Sequence, residues 1–75
     1  RMDDLQRRIL QSLLKTTKKV PPQHQMEALQ VATRTQYGLY QQEGDKQGMA
    51  IYAPLVQLTQ QAESPEQLEA LLQTA

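Results

Sequence analysis

The stretch MDDLQRRILQSLLKTTKKV, residues 2–20, decides the fold class. Its apolar and small residues recur at helical spacing on two adjacent faces. One stripe is Leu5, Ile9, Leu13 and Thr16, and the other is Leu10, Leu14 and Thr17. At about 100° per residue the two stripes together span roughly half of the helix circumference, whereas a helix at the edge of a small bundle buries about a third. The stretch therefore predicts an amphipathic helix whose first stripe is buried and whose second stripe is surplus apolar surface.

Basic side chains flank this surplus surface. They are Arg7, Arg8, Lys15, Lys18 and Lys19. The whole chain has a net charge of zero, and residues 47–75 carry three glutamates and no lysine or arginine. A local basic face on a neutral chain suits an acidic peptide better than a nucleic acid, which needs many phosphate contacts. The alternative interpretation is that these residues only solvate an exposed helix face.

The remaining residues predict three further helices in one small domain, residues 1–75. Asp3 or Asp4 can cap the first helix, and two prolines after Val20 end it. Gly44 suits a left-handed helix end, and Ser64 followed by proline begins a last short helix. The predicted helices span about residues 3–19, 23–42, 46–61 and 65–73. The predicted fold class is all-α, a compact three-helix bundle with a short additional C-terminal helix.

Three details of the second and third helices carry expectations of their own. The second helix has apolar residues on two sides, which is typical of a central helix packed between neighbours. Gly38 in its last turns suggests a close helix contact. Pro54 removes a backbone donor and predicts a kink in the third helix, or a short first segment followed by a new helix that begins at Pro54.

The sequence contains few residues that could carry chemistry. There is no cysteine, and the single histidine, His24, could share a zinc ion only with carboxylates. We find no serine–histidine–acid set, no glycine-rich phosphate loop and no shielded carboxylate pair. We therefore expect no enzyme activity, no cofactor and no metal. No apolar run approaches the ~18 residues of a membrane span and no signal peptide is recognisable, so we expect a soluble, intracellular protein without membrane contact.

Several short strings have the order and spacing of a known family. They are Arg8-Ile9-Leu10, Leu13-Leu14, Thr16 and Lys18-Lys19 in the first helix, Glu27, Val31-Ala32, Arg34 and Leu39-Tyr40 in the second, and Leu55 and Leu58 in the third. Over residues 7–60 they resemble the KIX domain of the Mediator tail coactivator subunit of fungi and plants. The helix of residues 64–75 lies beyond the usual three.

The resemblance implies a nuclear transcriptional coactivator module within Mediator. Such a bundle docks acidic, amphipathic activation-domain segments of transcription factors in an apolar groove between helices one and three, without direct nucleic-acid contact. The candidate groove residues are Leu10, Leu14, Thr17, Tyr52, Leu55 and Val56, with Lys15 and Lys18 as the basic rim. Core packing is the alternative for each apolar residue. We expect a monomer. The competing hypotheses are a homo-oligomeric helical assembly module without a peptide ligand and a nucleic-acid-binding domain that uses the basic first helix.

Overall fold

A computed structural model describes residues 2–74, which form four α-helices joined by short connections and contain no strand. The helices are α1 (Asp4–Thr17), α2 (Gln25–Glu43), α3 (Lys46–Gln61) and α4 (Pro65–Thr74), and a short 3-10 helix (Pro22–His24) precedes α2. The prediction of an all-α fold is confirmed.

Side-chain caps position the starts of α1, α3 and α4. The Asp3 carboxylate accepts a hydrogen bond from the backbone N–H of Gln6 (2.9 Å), and the Gln6 side chain accepts one from the Asp3 N–H (2.9 Å). The Asp45 carboxylate accepts from a backbone N–H in the first turn of α3 (2.9 Å), and the Ser64 hydroxyl accepts from the Gln67 N–H (3.0 Å). These bonds satisfy donors that have no partner within the helix.

Helix ends lie close to the predicted proline and glycine signals. α1 ends at Thr17, and the chain then turns through Lys18 into the proline pair and the 3-10 helix. α2 ends at Gly44, whose φ of 70° is left-handed and is tolerated because glycine has no Cβ.

Each helix contributes one fully buried leucine to a common core: Leu10, Leu29, Leu55 and Leu68. Leu14, Leu72, Met2 and Ala62 extend the same cluster. Burial of one leucine contributes roughly 1.5–3 kcal/mol, so α4, although only ten residues long, is part of what holds the domain together.

The two stripes of α1 have the opposite roles to those predicted. Leu10, Leu14 and Thr17 are buried, whereas Leu5 is 49% exposed and Leu13 only borders the core. The buried stripe begins one turn earlier, at Gln6. This side chain is 7% exposed, and its amide donates to the Ile51 carbonyl of α3 (3.0 Å). Since the first member of the buried stripe is polar, apolar periodicity favoured the wrong face.

The prediction of a close helix contact at Gly38 is wrong. The close contact lies at Gly48. No atom lies within 4 Å of the position that a Cβ on Gly38 would occupy. At Gly48 the added Cβ would collide with the aromatic ring of Tyr40, so the absence of a side chain allows α2 and α3 to approach each other.

Of the two alternatives predicted for Pro54, the new helix is wrong, because α3 is one helix through Pro54, and the kink stays a prediction. Proline removes the bond to the carbonyl of Ala50, and Ala50 is exposed, so that carbonyl can accept from water. α2 does pack against both α1 and α3, but its second apolar side is not covered, because Val31 and Leu39 are 47% and 48% exposed.

Candidate functional site

Two adjoining clefts border α4 where it packs against α1. The larger has a volume of about 370 Å³ and is open to solvent, and the smaller has a volume of about 190 Å³. The larger cleft is formed chiefly by Arg7, Leu14 and Lys15 of α1, by Lys18 at its C-terminal cap, and by Glu69 and Leu72 of α4. The smaller one lies toward the start of α4, at Pro65 and Glu66. We refer to both together as the α1–α4 cleft.

Helical spacing brings three basic residues, Arg7, Lys15 and Lys18, to the cleft. Arg7, Gln11, Lys15 and Lys18 recur at intervals of four, four and three, which places them along one side of α1. This side directly flanks the buried stripe, so Leu14 forms part of the floor while the charged heads of Lys15 and Lys18 remain exposed. The cleft therefore combines an apolar base with a cationic wall.

The floor consists of side chains that also belong to the core. Leu14 is 5% exposed and Leu72 is 4% exposed, and both line the larger cleft. A side chain that enters the cleft would thus contact the surface of the core without opening it.

The electrostatic balance of the larger cleft is positive, because three cationic residues and one carboxylate, Glu69, line it. The Arg7 guanidinium donates a hydrogen bond to the Leu72 carbonyl and so joins α1 to α4. Neither Lys15 nor Lys18 forms an ion pair within residues 2–74, in contrast to Arg8, which pairs with Asp4. The lysine charges are available to an anionic group that enters from solvent.

The predicted groove residues do not form one open groove between α1 and α3. Leu10 and Leu55 are fully buried, and the buried Thr17 hydroxyl donates to the Leu14 carbonyl (3.0 Å). Tyr52 and Val56 are partly buried on α3 and line neither cleft. Periodicity alone does not say which helix covers a given stripe, so it cannot distinguish these residues from groove residues.

Two predicted rim residues do lie beside a cleft. Lys15 and Lys18 line it, but its opposite wall is α4 and not α3. The sequence interpretation does not include Glu69 and Leu72 in the site, and it names Arg7 only among the basic residues that flank the apolar surface of the first helix. The uneven distribution of charge, basic in the first helix and acidic in the last, was the signal that could have paired these two helices.

Tyr52 shows the one pKa shift resolved within the described chain, and it lies outside the cleft. Burial raises the pKa of the Tyr52 hydroxyl, and the neighbouring Tyr40 raises it further. The two rings are 5.7 Å apart between centroids and tilted by 46°. They belong to the α2–α3 interface and offer no acid–base pair to the cleft.

The described part of the chain, residues 2–74, has no group of three or more histidine, cysteine, aspartate or glutamate residues placed to hold a metal ion. It also has no helix with the length and apolarity needed to cross a membrane.

The fold and the cleft define a small all-α domain with a cleft whose charged lining is mostly basic. Comparison of the chain with protein-family models, with curated proteins and with solved structures found no match.

Proposed function

We propose that this domain is a protein–protein interaction module that binds a short acidic, amphipathic segment of a partner at the α1–α4 cleft. The observation that carries the proposal is the position of Lys15 and Lys18, exposed and without an ion pair in residues 2–74, beside the apolar floor of Leu14 and Leu72. An amphipathic segment supplies the complementary groups, apolar anchors for the floor and carboxylates for the lysines.

The volume of the cleft is consistent with binding of side-chain anchors. About 370 Å³ lies near the lower end of the range for ligand clefts. A leucine from the partner would contact Leu14 of α1, while flanking glutamates would meet Lys15 and Lys18. Exposed lysines also raise the rate of encounter with acidic partners, so binding should weaken as salt screens these charges.

The KIX resemblance supports a particular class of partner. On this proposal the domain is a coactivator module, its ligands are activation domains of transcription factors, and its setting is the nucleus within Mediator. The docking surface is placed between α1 and α4 because the α1–α3 side is closed by Leu10 and Leu55. Lys15 and Lys18 retain the rim role predicted for them.

Self-association is the second candidate function, and a separate observation favours it. Leu5, Val31 and Leu39 are each about half exposed, and such side chains can pair between copies of a chain. On this alternative the mass would rise with concentration, and no acidic peptide would bind.

The test is an amide NMR titration of the labelled domain, preceded by light scattering to measure its mass. The probe is a synthetic helical peptide with leucines at positions i, i+4 and i+7 and glutamates between them, which we call the Leu–Glu peptide. We expect a monomer and shifts at Gln11, Lys15, Lys18, Glu69 and Gln73 at micromolar peptide concentration. The same peptide with glutamines in place of glutamates should bind more weakly. A dimeric mass without shifts at millimolar peptide would contradict the proposal and favour self-association.

A further inference from the structure

We infer that α4 is an internal occupant of the basic side of α1, and that a partner segment binds by displacing it. This inference deepens the proposed function and rests on it. It assigns α4 a regulatory role, in which the docked helix competes with the partner for the same surface.

The composition of α4 is that of the expected ligand. Its sequence, PEQLEALLQT, contains two glutamates and no basic residue. Leu68 and Leu72 are four residues apart and therefore project from one face of the helix, which is the spacing of anchors in helix–groove recognition. Glu69 lies next to this apolar pair. An acidic amphipathic helix is thus already present on the surface that we propose for an acidic amphipathic partner.

The contacts of α4 are also those expected of a ligand. Leu68 is fully buried and Leu72 is 4% exposed, so both act as anchors in the core cluster. The Arg7 side chain donates to the Leu72 carbonyl, and Glu69 shares the larger cleft with Lys15 and Lys18. Apolar anchors and a hydrogen bond from a cationic side chain join α4 to α1, and Glu69 adds a carboxylate to the cleft that the two helices share.

The position of α4 indicates that a longer segment must replace it in order to lie along this side of α1. Leu14, Lys18 and Glu69 line both clefts, so the two openings lie along the same α1–α4 contact. Removal of α4 would join them into one continuous surface along α1.

A detached α4 would not remain a helix. Its ten residues are fewer than an isolated helix needs in water, so its helical structure depends on docking and on its cap at Ser64. Weakening this cap should raise the population of the open state without touching α1. Because the apparent affinity of a partner scales with the fraction of open molecules, the cap becomes a means to test the inference.

The experiment compares Ser64→Ala with Asp45→Ala in the full chain, titrated with the Leu–Glu peptide. Each variant removes one side-chain cap, the first from α4 and the second from α3. Loss of a cap corresponds to about a fivefold change in a folding equilibrium. We expect Ser64→Ala to bind the peptide about fivefold more tightly than the original chain, and Asp45→Ala to bind it no more tightly. Hydrogen exchange should also show that peptide binding exposes the amides of residues 68–72 while those of α2 stay protected.

Three outcomes would overturn the inference. Equal affinity of Ser64→Ala and the original chain, with residues 68–72 still protected in the complex, would mean that the partner binds beside a fixed α4. The proposed function would then stand without displacement. Tighter binding by both Ser64→Ala and Asp45→Ala would indicate that destabilisation of the whole bundle, and not release of α4, raises the affinity for the peptide. Absence of binding to the original chain and to both variants would overturn the proposed function as well.

Discussion

The hydroxyl oxygens of Thr33 in α2 and Thr59 in α3 lie 3.2 Å apart, and both side chains are fully buried. Thr33 also lies 3.0 Å from the Leu29 carbonyl of its own helix, and Thr59 lies 2.9 Å from the Val56 carbonyl. A hydroxyl carries one proton, so one threonine donates within its helix while the other can donate across the interface. The contact joins the two helices at a position that carries no charge.

Valine substitutions at this pair should show coupling. Thr33→Val and Thr59→Val preserve volume but leave one hydroxyl without its partner, so each should lower the free energy of unfolding by about 1 kcal/mol. The double variant should lose at least about 0.5 kcal/mol less than the sum, because no unmatched hydroxyl remains. Urea denaturation measures all three, with the exposed Thr35→Val as control. Additive losses would mean that the two hydroxyls do not interact.

The glycines of α2 and α3 should respond to alanine in opposite directions. Gly38 has open space at its Cβ position, so Gly38→Ala should stabilise the helix by about 0.5–1 kcal/mol. Gly48→Ala would place a methyl group against the Tyr40 ring, so the ring or the helix must shift, at a cost of about 1–3 kcal/mol. Thermal unfolding of the two variants measures the difference. An equal rise in melting temperature for both would show that Tyr40 does not pack over Gly48.

Leucine substitutions on α1 distinguish the two stripes. Leu14→Ala should lower the free energy of unfolding by about 2–5 kcal/mol, because Leu14 is 5% exposed and its loss leaves a cavity. Leu5→Ala, at 49% exposure, should change it by less than about 0.5 kcal/mol. Denaturant melts of both variants make the comparison. Small and equal changes in the free energy of unfolding of the two variants would mean that Leu14 lies in an open groove, as the sequence predicts.

Local features of the fold could be predicted from the sequence because the residues that cause them are close together in the chain. Asp3, Asp45 and Ser64 each cap a helix through a backbone N–H three residues ahead, and Gly44 provides the left-handed end of α2. Each of these signals is contained within a few residues.

The site could not be predicted in the same way, because it depends on which helix covers which stripe. Gln6 begins the buried stripe of α1 through a hydrogen bond to Ile51, a partner 45 residues away, and nothing in its local sequence indicates this. Lys15 and Lys18 were identified from charge alone, but their opposite wall, with Glu69, depends on the docking of α4.

The stability of the fold should fall at high pH through Tyr52. The folded state raises the pKa of this hydroxyl above its usual value of 10.0, first by burial and then by the neighbouring Tyr40. The contribution to stability is therefore fully present below pH 10 and is lost as the pH rises through the raised pKa. Tyr52→Phe should make the free energy of unfolding fall less steeply above pH 10. Tyr40→Phe should lower the pKa of the Tyr52 hydroxyl part of the way toward its usual value, and phenolate absorbance measures this change. If the free energy of unfolding of Tyr52→Phe falls above pH 10 as steeply as that of the original chain, other groups cause the loss of stability at high pH.

Two adjacent lysines provide the sharpest test of where an acidic partner docks. Lys18 lines both clefts, whereas Lys19 lines neither, and both are exposed. Lys18→Gln and Lys19→Gln remove the same charge from neighbouring positions, so any difference between them reports location and not net charge. Lys18→Gln should slow association with the Leu–Glu peptide by about threefold and flatten the dependence of the rate on salt. The association rate of Lys19→Gln should stay within about a factor of 1.5 of that of the original chain. Neither substitution should change the free energy of unfolding by more than about 0.5 kcal/mol.

Stopped-flow association rates at low and high salt measure both variants. Equal slowing would show that the peptide senses only the overall basic field of α1, and the α1–α4 cleft would then lose its role as the docking site.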